Sequence, residues 1–263
     1  MTEKDSIAEK LWQARLTGAT VDGLSAPATI DEAYAIQQQA IEISQQQVNG
    51  IKIGATSQEI QQMLQVSAPF FGPMFTGFTR PSGSVVAVNK AHNPRVEPEF
   101  VVCLGKDVKA VAGIPTTLET VEDAVEWIAP AFEIVGTRVD GSCISESNRA
   151  LFAIADFGSN LDMVIGERFT DWRNVDLSKA PVTLFINDQE MATGHSGMSV
   201  TGNPLKLVAW LLDQPGLQQS GLAAGQLISC GTCTPVFPLS DKDQVRADYG
   251  RLGSIDFTIS GDN

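Results

Sequence analysis

The chain has 263 residues, 43% of them hydrophobic and 19% charged, which excludes an intrinsically disordered chain and leaves ample material for a core. Its 18 basic against 31 acidic residues give a formal net charge of -13 at pH 7, which disfavours nucleic acids and anionic membrane surfaces as partners. The longest strong apolar run, Leu207 to Leu212, is far short of the roughly 18 residues that span a bilayer. Met1 to Asp5 lacks the basic and apolar regions of a secretory leader, and four cysteines in a chain this long make no disulfide framework. A cytoplasmic protein with reduced thiols is expected.

Apolar residues at Ile7, Leu11, Trp12 and Leu16 predict a first helix over 6–16. Those at Ile30, Ala33, Ile36, Ala40, Ile41 and Ile43 predict a second over 29–47. Gln37 to Gln39 and Gln45 to Gln47 fall within that pattern and read as a solvated helix face. After Gly50 the texture changes to short strands broken by Gly and Pro. Strands are predicted over 51–55, 84–88, 95–104 and 131–135, with a helix over 57–64 capped by Thr56 or Ser57 and another near 120–128. Strands over 182–187, 226–229, 245–249 and 254–259 follow, with a late helix over 205–212. Many strands with few long helices argue against a doubly wound sheet. The expected class is α+β, a mixed β-roll or sandwich with peripheral helices. Residues 1–50 form a helical N-terminal part and 51–263 the β-rich body, or the two make one continuous domain.

The chemistry concentrates in Arg95-Val96-Glu97-Pro98-Glu99-Phe100. Alternation on a strand puts Glu97 and Glu99 on one face, about 7 Å apart at the backbone. Two such carboxylates repel unless a cation lies between them. Pro98 carries no backbone donor, which places this stretch at an edge or bulge open to a ligand. Glu133 lies inside the apolar Ala131 to Val135, where an unpaired charge costs several kcal/mol. Three oxygen ligands with no accompanying His or thiolate favour a hard ion, Mg²⁺ or Mn²⁺. Two plainer readings stand beside this one: the Glu pair as a solvated strand face, and Glu133 paired with Arg95 or Arg138. Lys52, interrupting Ile51 and Ile53, either snorkels to the surface or meets an anion. Cys230-Gly231-Thr232-Cys233 reads as small residues at a strand end, because zinc would need a second Cys pair and no helix follows to complete a redox motif. His92, in the loop before the acidic strand, is a candidate acid or base against the alternative of a solvated loop residue. His195, within Gly194-His195-Ser196-Gly197, is placed in a flexible loop over the site.

Gly50 to Ser57, Phe71 to Phe75, Pro94 to Phe100, Ala131 to Val135 and Leu252 to Ser254 resemble, in this order, the 2-keto-4-pentenoate hydratase and 4-oxalocrotonate decarboxylase branch of the fumarylacetoacetate hydrolase superfamily. The resemblance implies the family's mixed β-roll, a divalent ion, Mg²⁺ with Mn²⁺ as the alternative, held by Glu97, Glu99 and Glu133, and Lys52 as an active-site lysine. It also implies substrate contacts from Asp156 and Ser159, within the segment matching the family's Asp-Asn-Ala-Ser. The implied activity is hydration of a 2-hydroxy-2,4-dienoate through a metal-stabilised enolate. Decarboxylation of a 4-oxalocrotonate-type diacid and hydrolysis of an acylpyruvate use the same enolate. A catalytically silent keto-acid-binding or partner subunit is the alternative of another class. Homo-oligomers, and a hetero-complex with a pathway enzyme, are the implied assemblies. Arg80 is the cation left for a distal carboxylate, so a monoacid is the expected substrate. The pattern departs from the family at Gly77, Gly136 and Gly158, and this bears on substrate identity more than on the metal.

Overall fold

The computed structural model describes residues 3–261; Met1 and Thr2, from the segment read for a leader, lie outside the described residues, as do Asp262 and Asn263. Its helices are α1 (Glu3–Thr17), α2 (Ile30–Ser44), α3 (Gln58–Leu64), α4 (Leu118–Ala124), α5 (Arg149–Ala155), α6 (Pro204–Leu212) and α7 (Pro215–Ser220). The strands are β1 (Val48–Gly54), β2 (Phe70–Phe75), β3 (Thr79–Pro81), β4 (Ser84–Val88), β5 (Arg95–Leu104), β6 (Val125–Val135), β7 (Asn160–Ile165), β8 (Pro181–Ile186), β9 (Gln189–His195), β10 (Leu227–Ser229), β11 (Phe237–Pro238), β12 (Gln244–Asp248) and β13 (Ser254–Gly261). They form two mixed sheets. The eight-stranded sheet runs β2-β1-β10-β5-β6-β7-β3 with β11 added to β5, and the five-stranded sheet runs β4-β13-β12-β8-β9. This is an α+β architecture, as the strand-rich pattern predicts.

Several boundaries shift for local reasons. Thr29 caps α2 by accepting the Glu32 amide, but the helix stops at Ser44 because Gln45 turns into the left-handed region. The second glutamine run therefore lies outside the helix. Gln37 is buried rather than solvated, its side-chain amide donating to the carbonyls of Ile154 and Phe71. The helix expected near 120–128 ends at Ala124. From Val125 the chain pairs with β5 as a strand of 11 residues, because Trp127, Ile128 and Ala129 face packed neighbours on both sides of the sheet. Ser57, not Thr56, caps α3. Residues 70–75, 149–155, 160–165 and 189–195 are regular elements that periodicity does not announce.

The eight-stranded sheet has two different faces. Val96, Phe100, Val102, Ile134 and Val164 pack toward the five-stranded sheet and α6 in the main core. Alternation sends Glu97, Glu99, Val101 and Glu133 to the other face. There Met74, Val101, Ala129, Ala131 and Met163 form a smaller apolar cluster. The contact of β2 with β7 curls the sheet around that face. A third cluster joins Leu11 and Trp12 of α1 and Ile36 of α2 to Phe75, Phe152 and Phe157, so the N-terminal helices pack on the sheet next to the acidic residues.

Candidate metal and active site

Strand pairing assembles the carboxylates. Glu97 of β5 lies opposite Glu133 of β6, and Glu99 stands two residues along on the same face. One oxygen from each of the three lies within 4.8 Å of the others, in the only such acidic, His or Cys group among the described residues. Pro98 is not on a sheet edge: β6 flanks it on one side. On the other side the neighbour of β5 changes from β11, at Arg95 and Val96, to β10, at Val101 to Cys103. The proline, with no donor to offer, falls in that opening, where its carbonyl accepts the Cys233 amide.

The chain after β10 wraps Glu99. Ser229 and the Gly231 amide both donate to Glu99 Oε2. Gly231 has φ +83, and a Cβ there would lie 2.1 Å from Thr56 Oγ1, so the residue must be glycine for its N–H to reach the carboxylate. The C-x-x-C is thus a tight turn around the Glu99 carboxylate. All four cysteines are free, and burial raises the thiols of Cys230 and Cys233.

Lys52 enters the same face from β1 and is buried. Its Nζ donates to Gly158 O at 2.6 Å and lies 3.2 Å from Glu133 Oε1. Gly158 belongs to an uncommon turn in which Phe157, Gly158 and Ser159 all have positive φ, between 56° and 66°. Such a run is costly for non-glycine residues. Here it is held by Phe157 packed between Trp12 and Phe75, and it aims a carbonyl at the ammonium. Asn160, next in the chain, donates Nδ2 to Glu133 Oε1 at 3.0 Å.

Glu99 and Glu133 therefore each have one saturated and one free side. Glu99 Oε1 and Glu133 Oε2 are buried without any hydrogen-bond partner, whereas buried polar atoms are nearly always paired. Burial, then repulsion from Glu133, pushes Glu97 up to about 7, and burial raises Glu99 and Glu133 as well. Burial works against the Lys52 charge, but the fields of Glu133, Glu97 and Glu99 outweigh it and hold the ammonium above its ordinary value. Three acids against one ammonium leave an excess of acidic groups on one largely buried face of the sheet. An oxygen-liganded divalent cation is the group that this donor set fits.

A pH dependence follows. A glutamate raised from 4.5 to about 7 holds its proton in the folded metal-free protein after the unfolded chain has released it. Its stabilising contribution is complete below about pH 4.5 and is lost as pH rises through about 7. Melting of the metal-free protein is expected at falling temperature across that window. The rise in Tm on adding Mg²⁺ is expected to be larger at pH 8 than at pH 6, because protons compete for the ligands. A Mg²⁺-induced shift independent of pH would count against these carboxylates as the ligands.

Other candidates lie elsewhere. His92 is buried with Nε2 2.8 Å from Ala19 O, and burial lowers its pKa. Its charged neighbours are Arg138, Asp156 and Arg15, not the three glutamates. It fastens the loop after α1 to the sheet. Asp156 is engaged by the Arg138 guanidinium and backbone amide, so neither is available to a substrate or to Glu133. Ser159 adjoins Gly158, and its carbonyl accepts the Gly136 amide. Arg80 pairs with Asp162 at 2.9 Å and lines a cavity of about 510 Å³ with Trp127 and Arg168, whose lining includes none of the three acids. Arg95 is exposed and makes no ion pair with Glu133. His195 ends β9, exposed, with Nδ1 accepting the Gly197 amide.

Of the three departures, Gly136 and Gly158 are steric. A Cβ at Gly136 would lie 2.4 Å from His92 O, and one at Gly158 would crowd Lys52 Cδ at 3.1 Å. Gly77 is exposed and faces Gln46. Residues that sequence reasoning missed are Asn160, Ser229, Gly231 and the Gly158 carbonyl. Only the small residues at the end of β10 gave any signal.

The family model "Fumarylacetoacetate (FAA) hydrolase C-terminal" matches residues 43–260. A 2-hydroxyhexa-2,4-dienoate hydratase of Comamonas testosteroni is 33% identical over 98% of this chain and 97% of its own length. A 2-keto-4-pentenoate hydratase of Paraburkholderia xenovorans (strain LB400) is 30% identical over 96% of this chain and 93% of its own. The fold is shared with 4-oxalocrotonate decarboxylase from Pseudomonas putida G7, solved with magnesium and adipate, at a TM-score of 0.86 and 23% identity over 97% of each chain.

Proposed function

The chain belongs to the fumarylacetoacetate hydrolase family, and from that premise we propose that it is a divalent-metal-dependent hydratase, with Mg²⁺ as its ion, that adds water to a 2-hydroxy-2,4-dienoate. The observation that carries the reading is the set of Glu97, Glu99 and Glu133 with two unpartnered buried oxygens beside the Lys52 ammonium. The three glutamates would hold the ion, which supplies Lewis-acid stabilisation of negative charge on a 2-keto acid.

The remaining chemistry belongs to the chain. In the net reaction the 2-hydroxyl loses its proton, C5 and C3 each gain one, and hydroxide adds at C4, giving a 4-hydroxy-2-keto acid. Lys52 Nζ is a buried cation with protons to give. It pairs with the substrate carboxylate and holds a proton for the enol carbon skeleton. Gly158 O and Glu133 Oε1 keep the ammonium aimed. The Phe70 ring, 5.8 Å from Nζ, covers that side of the lysine with apolar surface.

The cations that act on the carboxylates are Lys52 and, on Glu133, Arg15. Arg15 is committed to the carbonyls of Asn160 and Leu161, and Arg80 to Asp162. A second substrate carboxylate would be buried without a counter-ion, at a cost of several kcal/mol. A monocarboxylic dienoate is therefore the preferred substrate. Supplying 2-hydroxypenta-2,4-dienoate and 4-oxalocrotonate separately with Mg²⁺, and following dienol loss and CO₂ release, tests this. Dienol loss is expected to be the faster. Faster CO₂ release from the diacid would make the protein a decarboxylase, and binding of a keto acid without turnover of either compound would make it a silent partner subunit.

A further inference from the structure

Arg15 lies outside the matched family segment, on α1, yet it is buried and reaches β7. Its Nη1 donates to Asn160 O at 2.7 Å, and its Nη2 to Asn160 Oδ1 at 3.1 Å and Leu161 O at 2.8 Å. The guanidinium stacks 4.1 Å from the Phe78 ring centroid, with the Phe75 and Phe157 rings at 5.3 Å. It is therefore fixed by packing as well as by hydrogen bonds. A guanidinium has donors only, so the Asn160 amide must turn its oxygen toward Arg15. Nδ2 is then left facing Glu133, to which it donates at 3.0 Å. With Lys52 on the same oxygen, Glu133 Oε1 is occupied and Oε2 is the atom left free.

We propose that Arg15 is a positioning residue for the metal centre, acting through Asn160 to set which oxygen of Glu133 faces the ion. The inference rests on the reading of Glu97, Glu99 and Glu133 as metal ligands. Without Arg15, Asn160 Oδ1 is buried with no donor, the amide loses its orientation, and the carboxylate rotates among less favourable positions. Groups that orient metal ligands in this way typically account for 10–100-fold in affinity.

The test is Mn²⁺ titration of the metal-free protein by calorimetry, with circular dichroism as a check on folding. Asn160→Ala is expected to weaken Mn²⁺ at least about tenfold, and Arg15→Met by a similar factor. Arg15→Lys, which keeps the charge but offers a single point donor, is expected to fall between Arg15→Met and the wild type. In the Asn160→Ala background, either Arg15 change is expected to add less than about twofold, because both act along one path. Should Arg15→Met fail to fold, Arg15→Lys, alone and combined with Asn160→Ala, carries the comparison. Unchanged Mn²⁺ affinity in the Arg15 variants, or losses that simply multiply in the double variant, would overturn the inference. Absence of Mn²⁺ binding by the wild type would instead overturn the metal reading beneath it.

Discussion

Lys52→Met is expected to lower turnover of 2-hydroxypenta-2,4-dienoate more than about a hundredfold at saturating Mg²⁺, while the folded protein persists. Methionine keeps most of the volume on β1 and the apolar contact with Phe70, so the packing of the strand survives. What disappears is the donor to Gly158 O at 2.6 Å and the charge 3.2 Å from Glu133 Oε1. Removing the cation also leaves the buried Glu99 and Glu133 and the half-buried Glu97 without their counter-charge, and breaking a buried pair costs about 3–5 kcal/mol. The metal-free variant should therefore melt lower than the wild type, and Mg²⁺ should recover much of the difference. Steady-state kinetics with Tm measured with and without Mg²⁺ separates the two effects. Activity within a factor of two of wild type would reduce Lys52 to a structural ammonium.

Glu99→Gln is expected to weaken Mg²⁺ at least tenfold, about 1.4 kcal/mol, and to do so without unfolding the chain. Ser229 and Gly231 both present donors to one side of this carboxylate. The amide oxygen of a glutamine would keep those donors, which turns its NH₂ toward the space where Glu99 Oε1 stands free. A charged oxygen donor would thereby be replaced by a pair of hydrogen-bond donors facing the proposed ion. The same change removes a buried acid whose ionisation burial opposes. The metal-free variant should thus melt at or above the wild-type temperature while gaining little from Mg²⁺. Calorimetry showing wild-type Mg²⁺ affinity would remove Glu99 from the ligand set. A lower melting temperature in the absence of metal would assign the residue a structural role through Ser229 and Gly231.

How much of this site could be read from the chain depends on the range of the interaction. Strand β5 runs over the residues that alternation predicts, Arg95–Leu104, because both of its faces are packed and its side chains announce it. Glu97 and Glu99 share a face by strand geometry alone, and Glu133 was conspicuous as an acid among apolar neighbours. Lys52 was conspicuous for the same reason. His92 is close to β5 in sequence but not to its carboxylates in space. The turn at Asn93 and the bond to Ala19 carry the ring toward α1 instead. Arg80 is held away from the acids by Asp162, which lies on β7, a strand that periodicity does not announce.

Composition and local pattern by themselves determined the α+β class, the β5 strand and the shared face of Glu97 and Glu99, and they singled out Glu133 and Lys52, since an ionisable side chain inside an apolar strand leaves a signal within a few residues. Only the tertiary structure decided what completes each charge. Ser229 and Gly231 meet Glu99 across 130 and 132 residues of chain, and Asn160 and Arg15 reach the site from β7 and α1. Ser229, Asn160 and Arg15 are ordinary polar residues whose own neighbours in sequence place no constraint on them. Their roles arise from β5, β6, β7 and β10 pairing in one register, because hydrogen-bond geometry is satisfied only when the whole sheet has formed.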